Sequence, residues 1–210
     1  MKLNQLKAWA FNYNDDDRRR QTLLFDRLKP GDIFIDCGAN TGQETIPALR
    51  KGAIVYAFEP HPQAFASLKK NVGNLDRAHL INKGVWDRQS KLKLYLHKKH
   101  LADALAWSTG ASLVREKENV DTSKFVEVEV IDLAQFIDQL AQPIKAVKID
   151  VEGVEFDILA RLIDRGSDKK VDSILVETHA DKMPQLRARE TEIKKLIAKK
   201  KITNISLDWV

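Results

Sequence analysis

Four stretches of the chain hold residues whose types and spacing suit chemistry. The first is Asp36 with the turn Gly38-Ala39-Asn40-Thr41-Gly42 behind it. Glycines there let the backbone come close to a ligand. The second is Glu59, 23 residues after Asp36, at the end of the apolar run Ile54 to Phe58. An acid at that place reaches a ribose hydroxyl pair. The third is Lys148-Ile149-Asp150-Val151-Glu152, with a charge at every second position. The fourth is Glu177-Thr178-His179, where an acid and an imidazole share one parity. Together they describe a nucleotide-shaped ligand held next to groups that accept or move a proton.

The elements that must position these residues read as alternating strands and helices. Ile33 to Ile35 and Ile54 to Phe58 are short runs rich in strand formers, with a helix over Gln43 to Lys51 between them. A helix follows over Pro62 to Val72, then a third strand over His79 to Val85. Lys91 to His97 and Phe125 to Val130 alternate as half-exposed strands. Ile131 to Leu140 is a short helix. Ile144 to Val151 is a strand, Val154 to Asp164 a helix, Ser173 to Thr178 a strand, Pro184 to Lys199 a helix and Ile202 to Trp209 a last strand. This order predicts a mostly parallel α/β sheet with helices on both faces. Such sheets bind ligands at the carboxyl ends of their strands, where all four stretches fall. Burying Lys148 and Asp150 unpaired would cost several kcal/mol, so they should pair with each other or with a ligand.

The chain's bulk properties set outer limits. Its 210 residues suit one compact domain (residues 30–210) behind an N-terminal helical cap segment (residues 1–29). In that segment Asn14 to Asp17 start a helix whose apolar face includes Leu23, Leu24 and Leu28. An apolar fraction of 43% allows a full core. No run approaches the roughly 18 apolar residues needed to span a membrane, and the N-terminus lacks a signal-peptide core. The single cysteine, Cys37, excludes an internal disulfide framework and a cysteine metal cluster, and it reads as a small buried side chain. These features fit a reducing cytoplasm. The net charge of +5 is spread along the chain, which fits a solvated basic face better than a nucleic-acid contact.

Three nucleotide turns compete for the first stretch. A P-loop needs Gly-Lys-Ser/Thr at its end, which is absent. A dinucleotide fingerprint needs Gly-x-Gly-x-x-Gly, and its pyrophosphate would be repelled by Asp36. The amino group of a methionine moiety would instead welcome that acid. Asp-x-Gly-x-x-x-Gly with an acid at the next strand end resembles the cofactor site of S-adenosylmethionine-dependent methyltransferases.

More of the chain, roughly residues 31 to 179, resembles the FkbM family of these enzymes. The resemblance rests on Asp36 to Gly42 with Thr45, Tyr56 to Pro62, Leu68 and Asn71, and Gly84 to Asp87. It continues through Gly110 to Leu113, Val130 to Leu133, Val147 to Glu155 and Val176 to His179. It implies a Rossmann-like class I methyltransferase fold of the seven-stranded type, ending in an antiparallel strand pair of which only Ile202 to Trp209 is visible. It also implies methyl transfer to a hydroxyl of a small molecule or glycan. Gly38, Ala39, Asn40 and Gly42 would then cradle the methionine part, with Asp36 near its amine. Glu59 would hold the ribose, Pro60 and His61 would flank the adenine, and Val85 would touch its other side.

For the transfer itself, Asp150 and His179 are the candidate general bases, with Lys148 and Glu177 orienting or tuning them. Asp150 with Glu177 as a Mg²⁺ site is the less favoured alternative, and no metal is assigned. Blander roles compete. Lys148 with Asp150 could be a structural ion pair, Glu152 and Glu155 could serve the next helix's first turn, and His179 could be a cap. A nucleic-acid methyltransferase and a non-catalytic cofactor-binding module are the rival functions. A homodimer is left open.

Overall fold

The computed structural model of the chain describes residues 25–100, 108, 111–115 and 117–209. Most of the expected N-terminal helix, including Leu23 and Leu24, lies outside these residues, as do Trp107 and Gly110. Residues 25–27 are helical, and Phe25 and Leu28 are buried against the sheet.

The main sheet has six strands among the described residues. These are β1 (Ile33–Cys37), β2 (Ile54–Phe58), β3 (Ala78–Ile81), β7 (Ile144–Ile149), β8 (Ile174–Val176) and β9 (Ile205–Ser206). Their order is β3-β2-β1-β7-β8-β9, and every neighbouring pair is parallel. This is a doubly wound sheet whose order reverses between β1 and β7. Among the described residues the chain also forms helices α1 (Thr45–Arg50), α2 (Pro62–Val72), α3 (Leu133–Gln139), α4 (Glu155–Arg165) and α5 (Arg187–Lys200).

Strand parity builds a core on each face. Ile33, Ile35 and Cys37 of β1 pack in one core with Val147 and Ile149 of β7. Phe34, between them in sequence, packs in the other with Val55, Ala57 and Ala146. Every residue of β1 is buried, as a central parallel strand requires. Helix α4 buries Phe156, Ile158, Leu159, Leu162 and Ile163, an apolar stripe at helical spacing. It stops at Gly166, whose left-handed backbone (φ 76°) suits a helix end.

A second sheet has three strands, β4 (Gly84–Trp86), β5 (Ser90–His97) and β6 (Val120–Asp132). Their order is β4-β6-β5. The expected third strand over His79 to Val85 is therefore two strands in two sheets. The break has a local cause. The Asn82 side-chain amide donates to the carbonyls of Glu59 and Pro60, and Lys83 N donates to Ile81 O, so the chain turns between the strands. The last strand also differs from expectation. It is two residues long and parallel to β8, and no antiparallel partner joins it in the main sheet among the described residues. No helix among the described residues is long and apolar enough to cross a membrane.

Candidate active site

The site lies where the strand order reverses. β1 and β7 pair so that Asp36 sits directly opposite Lys148. Past their ends, Asp150 N donates to Cys37 O at 3.1 Å, so the two chains stay together to the edge. Gly38 turns there with φ 83°, and a Cβ at this position would lie 1.9 Å from Asp150 O. The glycine is thus required by both backbone angle and space. Gly42 (φ 103°) meets α1 and α2: a Cβ there would lie 3.1 Å from Leu68 and 3.3 Å from Ile46. This single glycine permits the close helix approach that a dinucleotide turn assigns to its third glycine.

A cleft opens at this edge. One wall is formed by Gly38, Asn40, Glu59, Pro60, His61 and Val85. Glu59 organises it: its Oε2 accepts from Asn40 N at 2.8 Å and its Oε1 from His61 N at 2.7 Å. Burial lifts the Glu59 carboxyl to about 7 despite these two donors. His61 is buried, which lowers its pKa, and its Nδ1 has no hydrogen-bond partner. From α2, the Asn71 amide donates to Thr41 O at 2.9 Å and fixes the turn from behind.

Three residues expected at the cofactor do not line the cleft. Asp36, Ala39 and Gly42 lie behind it. Asp36 is fully enclosed: its Oδ2 accepts from Thr45 Oγ1 at 2.6 Å, and its Oδ1 lies 3.7 Å from Lys148 Nζ. It reaches the cleft only through that ammonium.

Lys148 ties the walls together. Its Nζ donates to Gly38 O at 2.9 Å and pairs with Asp150 Oδ2 at 3.1 Å. Burial opposes its charge, but Asp150 and then Asp36 outweigh burial and hold the ammonium well above its usual range. Burial raises Asp36 itself, so Asp150 is the principal counter-charge.

The opposite wall carries Asp150, Glu152 and Glu177. Each side chain keeps about a quarter of its surface exposed, at 26%, 23% and 24%. His179 stands behind them at 1% exposure and does not line the cleft. Its Nδ1 donates to Glu155 Oε1 at 2.9 Å, while Nε2 lies 3.1 Å from Glu152 Oε2. Burial would lower the imidazole pKa, but Glu152 and Glu155 overturn that and raise it to about 10. Glu152 is correspondingly lowered despite burial, whereas burial and then Asp150 raise Glu177.

The loop carrying these acids is strained and pinned. Glu152 has φ 62° and Gly153 φ 126°. A non-glycine residue in that region costs on the order of 1–3 kcal/mol. Glu155 Oε1 holds the loop by accepting from Gly153 N at 2.9 Å and Val151 N at 3.3 Å. Ser112 Oγ donates to Glu152 O at 2.5 Å, and Lys117 Nζ pairs with Glu152 Oε2 at 2.6 Å. Glu155 thus holds the loop before the helix as well as starting it. Lys117 and Trp209, the latter lining the cleft, carried no readable signal, whereas Ser112 lies in the Gly110 to Leu113 stretch that carried the resemblance. Glu152 was readable as the third charge in the alternating run.

A doubly wound sheet with a glycine turn, an acid at the second strand end and an acidic wall across the reversal point has the layout of α/β proteins that take ligands at the carboxyl ends of their strands. Residues 36–200 match the methyltransferase FkbM domain, and the chain belongs to that methyltransferase family. It is 28% identical over 141 residues to "2-O-methyltransferase NoeI" of Sinorhizobium fredii (strain NBRC 101917 / NGR234), covering 63% of this chain and 58% of that protein. It is 29% identical over 163 residues to "Methyltransferase 1" of Beauveria bassiana (strain ARSEF 2860), covering 70% and 65%. It is 27% identical over 175 residues to "31-O-demethyl-FK506 methyltransferase FkbM" of Streptomyces tacrolimicus, covering 72% and 67%. The matches with the first two span less than two thirds of those relatives' lengths.

Proposed function

We propose that the chain methylates a hydroxyl oxygen of a small-molecule or glycan acceptor, with S-adenosylmethionine as donor. The observation that carries this reading is the two-walled cleft: a glycine turn with Glu59 and His61 on one side, and three carboxylates on the other. The O-methyltransferase names of two relatives support the choice of a hydroxyl.

The residues present fit the donor. The buried unpartnered His61 Nδ1 and the cleft-facing Glu59 both suit a ligand with a polar nucleoside end. Gly38 and Asn40 would hold its methionine part, Glu59 its ribose hydroxyls, and Pro60, His61 and Val85 its base. When bound, this cofactor supplies an electrophilic methyl group on a sulfonium leaving group.

The chain's own work is alignment and proton removal. Lys148 locks the Gly38 turn to Asp150, so the two walls keep a fixed spacing. Positioning of this kind can supply roughly 7–11 kcal/mol of a barrier. The acceptor hydroxyl must lose its proton as it reacts, which a placed base accelerates about 10²–10⁴-fold. His179 is poorly suited to take that proton, because its imidazole is raised to about 10 and stands behind the wall. Asp150 and Glu177 face the cleft and are the proposed proton acceptors, with His179 orienting the carboxylates around it.

Thermal unfolding with S-adenosylmethionine or its demethylated product tests the donor assignment. Ligand at a hundred times its dissociation constant adds about 2.7 kcal/mol. An equal shift with NAD, or none at millimolar ligand, would sink it. Turnover of labelled donor with hydroxylated acceptors then tests the reaction class.

A further inference from the structure

We propose that Asp150, Glu152, Glu177 and His179 form a divalent-cation site at the acceptor end of the cleft, taking Mn²⁺ or Mg²⁺ through one imidazole nitrogen and three carboxylates. Ligand atoms of Asp150, Glu152 and His179 all lie within 4.8 Å of one another. His179 Nε2 is their centre. It lies 3.1 Å from Glu152 Oε2, 3.6 Å from Glu177 Oε1 and 3.8 Å from Asp150 Oδ1.

The histidine supplies an observation independent of the acids. Its side chain is 1% exposed, and Nε2 has no aligned hydrogen-bond partner while pointing among three carboxylates. The other nitrogen is already committed, since Nδ1 donates to Glu155 Oε1. A carboxylate behind a ligating histidine fixes the tautomer and aims the free nitrogen at the metal. Glu155 is itself held by Gly153 N and Val151 N, so the imidazole plane is anchored to backbone.

Two cations border the site. Lys148 pairs with Asp150 Oδ2, so Oδ1 faces His179. Lys117 contacts Glu152 Oε2, the oxygen that also lies nearest His179 Nε2, so an ion would compete with that ammonium for it. The three acids line the cleft and the histidine lies behind them, which directs open coordination positions toward the acceptor. Three oxygen donors suit Mg²⁺ and Mn²⁺, and the imidazole favours Mn²⁺ of the two. The proton on Nε2 leaves to solvent as the ion binds, because a ligating imidazole must be unprotonated. The role of the ion rests on the acceptor reading above. It would bind the acceptor oxygen and make its proton more acidic, and that proton would pass to the Glu177 oxygen that the ion leaves free.

The test is a Mn²⁺ titration of the chelator-stripped chain, followed by the electron paramagnetic resonance of the free ion, with Mg²⁺ as competitor. We expect one saturable Mn²⁺ per chain, displaced by Mg²⁺. Glu155→Gln should weaken binding about 10–100-fold. His179→Gln and Glu177→Gln should each weaken it at least about tenfold, and Glu177, partly exposed, carries the test if a buried variant fails to fold. No saturable binding, or binding unchanged in both of the last two variants, overturns the site. A cofactor-induced thermal shift is measured on the same stripped protein. A retained shift without Mn²⁺ binding overturns the metal site alone, and Mn²⁺ binding without a shift supports the site while removing the donor reading.

Discussion

The Lys148 ammonium donates to the Gly38 carbonyl oxygen at 2.9 Å across 110 residues of sequence. One buried charge thereby joins the turn proposed to hold the donor to the acid proposed to face the acceptor. Lys148→Met should test both halves at once. It leaves Asp36 buried without its counter-charge, which costs about 3–5 kcal/mol in comparable broken pairs. Urea unfolding should show that loss, and adding Asp36→Asn should recover part of it.

Gly38→Ala should disable the cleft. The new Cβ would lie 1.9 Å from Asp150 O, a backbone atom that cannot swing away, and φ 83° strains any L side chain. The thermal shift with S-adenosylmethionine should disappear even under conditions where circular dichroism shows the variant folded. A retained shift would remove Gly38 from the cofactor wall.

Donor binding should strengthen as pH rises toward neutrality. Burial raises Glu59 to about 7 in the free protein, and ribose hydroxyls donate best to its ionised form. Affinity should therefore fall by about tenfold for each pH unit below 7 and level off above it. Isothermal titration across this range measures it, and Glu59→Gln should flatten the profile. The stability linkage runs in the opposite direction. Because the folded pKa is raised, Glu59 favours the free fold below its unfolded value near 4.5 and loses that contribution as pH rises to about 7.

Asp150→Asn and Glu177→Gln should separate chemistry from binding. Each should lower kcat, the pair together by about 10²–10⁴-fold, with the cofactor thermal shift retained. If both variants turn over at the parent rate with donor bound, the proton acceptor lies elsewhere.

Much of this architecture was legible because hydrophobic period and glycine placement are local signals. The runs around Ile33 and Ile54 each read as buried strands, and the glycines after Asp36 marked a turn at the sheet edge. Charges on alternate residues from Lys148 onward marked an edge where burial without partners would be too costly. The third strand misled for a local reason as well. His79 to Val85 is continuously strand-like, and only the Asn82 side chain, reaching back to Glu59 and Pro60, shows where it breaks.

What the sequence determined by itself was the alternation of strands and helices, the glycine turn and the acids at the strand ends, since each follows from residue type at fixed spacing. Tertiary structure decided how those residues divide the work. The opposition of Asp36 and Lys148 depends on β1–β7 register, which places Asp36 behind the cleft and the ammonium within it. The setting of His179 depends on Glu152, Glu155 and Glu177, brought together by a strained loop and a neighbouring strand. Electrostatic coupling falls off over ångströms in space rather than residues in sequence, so those assignments required the fold.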